Sequence, residues 1–166
     1  MAGLDRFNAL PDSEARRELT ACCATQVFTD AVAAGRPYPD RAALRSAADT
    51  ALAGLDWNGV LEALAAHPRI GERATVGGRE ATWSADEQSA AASGPAALRE
   101  RIATGNVEYE KRFGHVFLIC ANGRPAPEIL VALTARLGNY PAAERDVVRE
   151  ELRKIVQLRL EKLLEA

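Results

Sequence analysis

Apolar residues recur along most of this chain at spacings of three and four, the period of helices that bury one face. Pro11-Asp12-Ser13-Glu14 supplies a proline and early acids. The series Leu19, Cys22, Cys23, Val27 and Ala31 then predicts one long helix, which Gly35 ends. Pro37 and Pro39 punctuate the connection, and Asp40 starts a second helix through Leu44, Ala47, Ala48, Ala51 and Leu55. Asp56 is placed to cap a third, whose stripe of Trp57, Val60, Leu61 and Leu64 reaches His67, where Pro68 forbids the helix to continue. From Pro68 to Trp83 the period lapses into a polar loop bearing Arg69, Glu72, Arg73, Gly77, Gly78, Arg79 and Glu80. Loops of this length inside compact domains are usually functional or disordered.

The helical period resumes at Ser84, pauses at Ser93-Gly94-Pro95 and runs on to Arg112. Val116-Phe117-Leu118-Ile119-Cys120 reads instead as extended chain, with Asn122-Gly123 as a turn behind it. No second strand is visible, so the N–H and C=O groups of this run need side chains, water or a bound polar ligand. Pro127-Glu128 opens a further helix through Ile129, Leu130, Leu133 and Leu137, stopped at Gly138-Asn139, and Pro141 opens the last, running nearly to Ala166. The expectation is an all-α, single-domain bundle over residues 1–166, of about seven or eight helices, with one short extended segment near 115–121.

Composition narrows the function. The chain has 166 residues and a formal net charge of −2, which offers no electrostatic case for nucleic acid or an acidic membrane. No apolar run approaches the ~20 residues that span a bilayer. Met1-Ala2-Gly3-Leu4-Asp5-Arg6 lacks the basic region and apolar core of a secretion signal, so a cytoplasmic location is expected. Cys22, Cys23 and Cys120 read as reduced packing residues rather than a disulfide framework. With two histidines and no Cys-x-x-Cys, no metal set is visible.

Three positions carry candidate chemistry. His67, at the end of a helix and the mouth of a loop, is either a capping histidine or a proton-handling group. The helix dipole there favours the imidazolium by about 0.3–1 kcal/mol at exposed sites. Ser84-x-x-Glu87 fits a capping box with Trp83 as its staple. The same arrangement offers outward N–H groups as a seat for a carboxylate, or lets Glu87 raise the basicity of His67. Capping and catalysis compete for that one carboxylate. Arg159 falls inside the apolar arc of Val148, Leu152, Ile155, Val156, Leu160 and Leu163, where a guanidinium must snorkel, pair with an acid or bind an anion. His115, amid Phe113, Val116 and Phe117, reads as a hydrogen-bonded structural histidine, and Arg69, Arg73 and Arg79 as a solvated surface.

Four strings occur in order along nearly the whole chain: His67-Pro68-Arg69-Ile70-Gly71-Glu72, Trp83-Ser84-Ala85-Asp86-Glu87-Gln88, Phe113-Gly114-His115-Val116-Phe117-Leu118-Ile119-Cys120-Ala121 and Ile155-Val156-Gln157-Leu158-Arg159-Leu160. Together they resemble the 2-oxo-4-hydroxy-4-carboxy-5-ureidoimidazoline (OHCU) decarboxylases. The resemblance implies an all-helical, homodimeric, cofactor-free lyase of urate breakdown that turns OHCU into S-allantoin and carbon dioxide. It implies His67 as acid/base and Glu87 as the group that orients or tunes it. It places Pro68, Ser84 and Gln88 in the pocket wall and the backbone of Ile119, Cys120, Ala121, Asn122 and Gly123 against the ring and ureido groups. Arg159 matches the family's arginine near the C-terminus. Two features depart from the pattern: His115-Val116 stands where many members have an aromatic residue and proline, and the Gly77-Gly78 loop resembles only a bacterial subset. Two other readings fit the bare residues, a helical interaction module and a hydrolase acting on a related ureide.

Overall fold

The computed structural model describes residues 2–72 and 78–165, and every regular element among them is an α-helix. In order these are α1 (Ala2–Ala9), α2 (Asp12–Cys22), α3 (Gln26–Ala34), α4 (Arg41–Ala53), α5 (Trp57–Leu64), α6 (Arg79–Glu87), α7 (Ser89–Ala92), α8 (Ala96–Phe113), α9 (Ala126–Leu137) and α10 (Pro141–Glu165). Ten helices among the described residues exceed the seven or eight expected, for local reasons given below. The all-α class stands. The chain falls into two compact units, the first formed by residues 1–63 and 153–166 and the second by residues 64–152.

In the first unit the single long helix expected from Pro11 to Gly35 is two. Cys23, Ala24 and Thr25 interrupt it, and Thr25 restarts the chain as an N-cap whose side chain accepts the Phe28 N–H at 3.1 Å. The break resets the helical phase. Leu19, Cys22 and Cys23 are buried as predicted, but Val27 is 59% exposed and the buried face of α3 is Phe28, Thr29, Val32 and Ala33. Helix α1 was not legible as a helix, yet its Leu4 and Phe7 are fully buried. From α10 this unit takes Ile155, Val156, Leu160 and Leu163, all buried.

The second unit is centred on α8 and α9. Gly105 lets the two helices approach, since a Cβ there would lie 2.5 Å from Leu133 Cδ2. Ile70, Ala91, Ile102, Tyr109, Phe117, Ile119, Ala121, Ala126, Ile129 and Leu133 form one apolar cluster. Helix α8 ends at Gly114, whose φ of 80° suits glycine and whose N–H bonds to the Glu110 carbonyl at 2.8 Å. The chain then runs from Val116 to Ala121 with neither helix nor ladder, at the place where the sequence predicts one short extended segment.

None of the three cysteines is in a disulfide; Cys22 and Cys23 are buried and Cys120 is half-buried. Burial pushes the Cys23 thiol from its ordinary 9.0 up to about 12. Burial and the hydrogen bond to Glu144 likewise push the Tyr109 phenol above its ordinary 10.0. Both groups favour their neutral forms in the folded chain, so their contribution is fully present below pH ~9 and is lost as pH rises through the folded values. The urea midpoint is therefore expected to fall between pH 8 and pH 10.5, and to fall less in Cys23→Ala; equal falls in the two proteins contradict the assignment.

Candidate functional site

Helix α5 stops at Leu64, three residues before His67, so His67 does not extend its stripe as the spacing suggested. Pro68 is still the cause. The Leu64 carbonyl would ordinarily accept the N–H four residues on, and proline has none. It accepts the His67 N–H instead, at 2.9 Å, in a closing turn. His67 and Pro68 are left half-buried at the head of a loop.

That loop is tied down by two carboxamides. Gln88 Oε1 accepts the Gly71 N–H at 2.9 Å and Nε2 donates to the Arg69 carbonyl at 3.4 Å. Asn106 Nδ2, on α8, donates to the Ile70 carbonyl at 3.1 Å. Gly71 takes a φ of 92°, a conformation open to glycine and not to a β-branched residue. Arg69 pairs with Glu110 at 2.5 Å and with Glu72 at 3.3 Å. Arg73 and Gly77 lie outside the described residues.

The capping box at Ser84 is not what forms. Helix α6 begins five residues earlier, after Gly78, so Ser84 sits mid-helix and its N–H is not at an open helix end. Arg79-Glu80-Ala81-Thr82 join the helix although the neighbouring glycines made them read as loop. The anion seat expected at Ser84 is thus absent, and Glu87 does not stand at the N3 position of a capping box. Ser84 and Glu87, three apart and each 6% exposed, share the buried face of α6, with Gln88 directly after.

Side chains satisfy the extended run. Arg136 Nη1 donates to the Leu118 carbonyl at 2.7 Å, and Glu151 Oε1 accepts the Cys120 N–H at 3.1 Å. The Ala121 carbonyl accepts the Arg124 N–H at 2.9 Å in the turn of Asn122 and Gly123, both exposed. Arg136 is 7% exposed and is held by Glu144, which is 0% exposed, through Nη2 at 2.7 Å and Nε at 2.9 Å. Tyr109 Oη and Asn139 Nδ2 donate to the same carboxylate at 2.5 and 3.1 Å. His115 Nδ1 donates to the Val116 carbonyl at 3.0 Å with its ring edge-on to Tyr109, a packed and hydrogen-bonded histidine as the sequence suggests.

The family model described as OHCU decarboxylase matches residues 8–161 of this chain. The chain belongs to that family. The 2-oxo-4-hydroxy-4-carboxy-5-ureidoimidazoline decarboxylase of Amia calva is 35% identical over 144 residues, covering 84% of this chain and 81% of that protein. The uric acid degradation bifunctional protein TTL of Arabidopsis thaliana is 35% identical over 149 residues; they cover 88% of this chain but only 46% of that longer protein. A crystal structure of OHCU decarboxylase in the presence of (S)-allantoin superposes with a TM-score of 0.76 at 33% identity, covering 90% of this chain and 98% of that one. The fold is also that of an (S)-allantoin synthase structure, with a TM-score of 0.74 at 19% identity over 96% of this chain and 53% of that one.

Of the residues the OHCU decarboxylase resemblance singles out, the second unit holds His67, Pro68, Ser84, Glu87, Gln88 and Ile119–Gly123, and the first holds Arg159. Arg159 is buried, and its Nη1 donates to the Ala21 carbonyl at 3.2 Å, at the open end of α2, which has no basic residue in its own last turn. Arg136, Glu144, Glu151 and Asn106 were missed. The signal was the one that revealed Arg159: Arg136 falls on the buried face of α9 with Ile129 and Leu133, and Glu144 in register with Val148 and Leu152. No group of His, Cys, Asp and Glu among the described residues could hold a metal ion, and no helix among them is long and apolar enough to cross a membrane.

Gln88→Leu is expected to speed hydrogen exchange at the Gly71 amide while lowering global stability by no more than about 1.5 kcal/mol. Unchanged exchange at Gly71 contradicts the clamp.

Proposed function

We propose that this chain decarboxylates OHCU to (S)-allantoin, with His67 as the acid/base and Glu87 as the residue that orients it. The observation that carries the reading is the Gln88 clamp. By bonding Arg69 and Gly71, Gln88 fixes the end of α6, where Ser84 and Glu87 lie buried, to the loop headed by His67 and Pro68. Family membership over residues 8–161 supports the same assignment and supports treating residues 1–166 as one catalytic domain.

The substrate carries its carboxylate on a carbon next to a C=N bond, which serves as its electron sink. As the C–CO₂ bond breaks, its electron pair moves toward that C=N and the nitrogen takes a proton. The enamine-like intermediate then accepts a proton at the ring carbon bearing the ureido group, on one face, while the hydroxyl loses its proton and becomes the carbonyl. His67 takes the hydroxyl proton and manages the one delivered to carbon. The protein's remaining work is to hold the carboxylate in line with the π system and to exclude water, which needs no metal or organic cofactor. Pro68, Ser84, Gln88 and the backbone of Ile119, Cys120, Ala121, Asn122 and Gly123, all within the second unit, bind the substrate in this reading. A homodimer in the cytoplasm is proposed with it, on the family resemblance alone.

His67→Ala is expected to keep the far-ultraviolet circular dichroism of the wild type and to lose about 10²–10⁴-fold of the turnover of freshly generated OHCU, followed by the dichroism of (S)-allantoin. A folded variant with full stereoselective turnover sinks the assignment. Acceleration only of the hydrolysis that precedes OHCU decarboxylation moves the chain to the hydrolase reading.

A further inference from the structure

The extended run is hydrogen-bonded as a strand would be, but by side chains. In extended chain the N–H and C=O of one residue share an edge, and successive residues alternate edges. The Leu118 carbonyl and the Cys120 N–H therefore lie along one edge, with the Ile119 N–H and carbonyl along the other. A neighbouring strand would offer the first edge a donor followed by an acceptor. Arg136 supplies the donor, at 2.7 Å, and Glu151 the acceptor, at 3.1 Å, from two different helices. Both side chains are buried, and the Arg136 guanidinium lies over the Phe117 ring at 4.5 Å. Bonds to ionised partners are roughly twice as strong as neutral ones. Ile119 itself is pinned by its side chain in the apolar cluster with Ile70 and Ala121.

We propose that Arg136 and Glu151 are positioning residues for the decarboxylation. Standing in for a strand on one edge, they fix the Ile119 N–H and carbonyl on the opposite edge as a donor–acceptor pair for the adjacent C=O and N–H of a ureide. The inference rests on the reading that the 119–123 backbone meets the substrate. A ureide edge paired this way is recognised equally before and after carbon dioxide leaves, so the pair acts on substrate affinity more than on the chemical step.

The test uses the full chain, uniformly ¹⁵N-labelled, as wild type, Glu151→Leu, Glu151→Gln and Arg136→Lys. Glu151→Leu is expected to raise KM for OHCU about tenfold with kcat within about threefold, and to shift the Cys120 amide resonance. Glu151→Gln keeps an acceptor oxygen and is expected to restore both. Arg136→Lys keeps a charge against Glu144 but loses the planar fork, and is expected to raise KM similarly; it carries the comparison if Glu151→Leu does not fold. In the wild type, (S)-allantoin is expected to shift the Ile119 amide. Variants that lose stability or move the Cys120 amide while keeping wild-type KM show a structural role only and overturn the proposal. An Ile119 amide unmoved by (S)-allantoin in the wild type defeats the underlying placement of substrate, and the proposal with it.

Discussion

A guanidinium and a carboxylate buried together, Arg136 and Glu144, set the terms for the second unit. The Glu144 carboxylate is fully buried and takes hydrogen bonds from Arg136, Tyr109 and Asn139, which together satisfy its lone pairs. With its Nε and Nη2 committed to Glu144, Arg136 still has an Nη1 donor for the Leu118 carbonyl. A buried ion pair is a poor source of net stability, since apolar residues of similar volume often do as well. What it gives here is placement. Phe117–Ala121 runs through an apolar cluster without a ladder, and each of its backbone groups needs a partner aimed from elsewhere.

The same solution recurs at the loop after His67. There, too, irregular backbone is bonded by side chains: Gln88 takes the Arg69 carbonyl and the Gly71 N–H, and Asn106 takes the carbonyl of the buried Ile70. Ile70 from that loop and Ile119 and Ala121 from the extended run share one apolar cluster, so the two irregular segments are packed on common ground. The residues proposed for catalysis, His67 and Glu87, lie at the head of the first segment and next to its Gln88 clamp, while α8 and α9 supply the apolar support. A site built this way keeps backbone groups available for a ligand rich in amide-like edges. Regular helices, which consume their own N–H and C=O groups, offer few.

Much of this was legible in sequence because helices bury one face and say so through their period. The all-α class, the positions of α4, α9 and α10 and the isolated extended run followed from that period alone. The failures share a physical cause. The phase reset at Cys23–Thr25 is a three-residue break directly after the apolar Ala21-Cys22, with no glycine or proline to announce it, and only Thr25 marks it. The early start of α6 lay behind glycines that read as loop, so Ser84 took on the part of an N-cap although it lies mid-helix on the buried face. His67 was placed on a helix that ends a turn sooner, because a proline disturbs the carbonyl four residues before it. Arg159 showed itself as a charge in an apolar arc; Arg136 and Glu144 carried the same signal and went unread.

The central claim is that Arg136 and Glu144 act as one unit that holds the extended run. Urea unfolding of Arg136→Met, Glu144→Leu and the double variant tests it most directly. Each single change leaves the other charge buried and alone, and is expected to cost about 3–5 kcal/mol; the double variant should cost clearly less than the sum. Additive losses, or a Glu144→Leu protein as stable as the wild type, would contradict it.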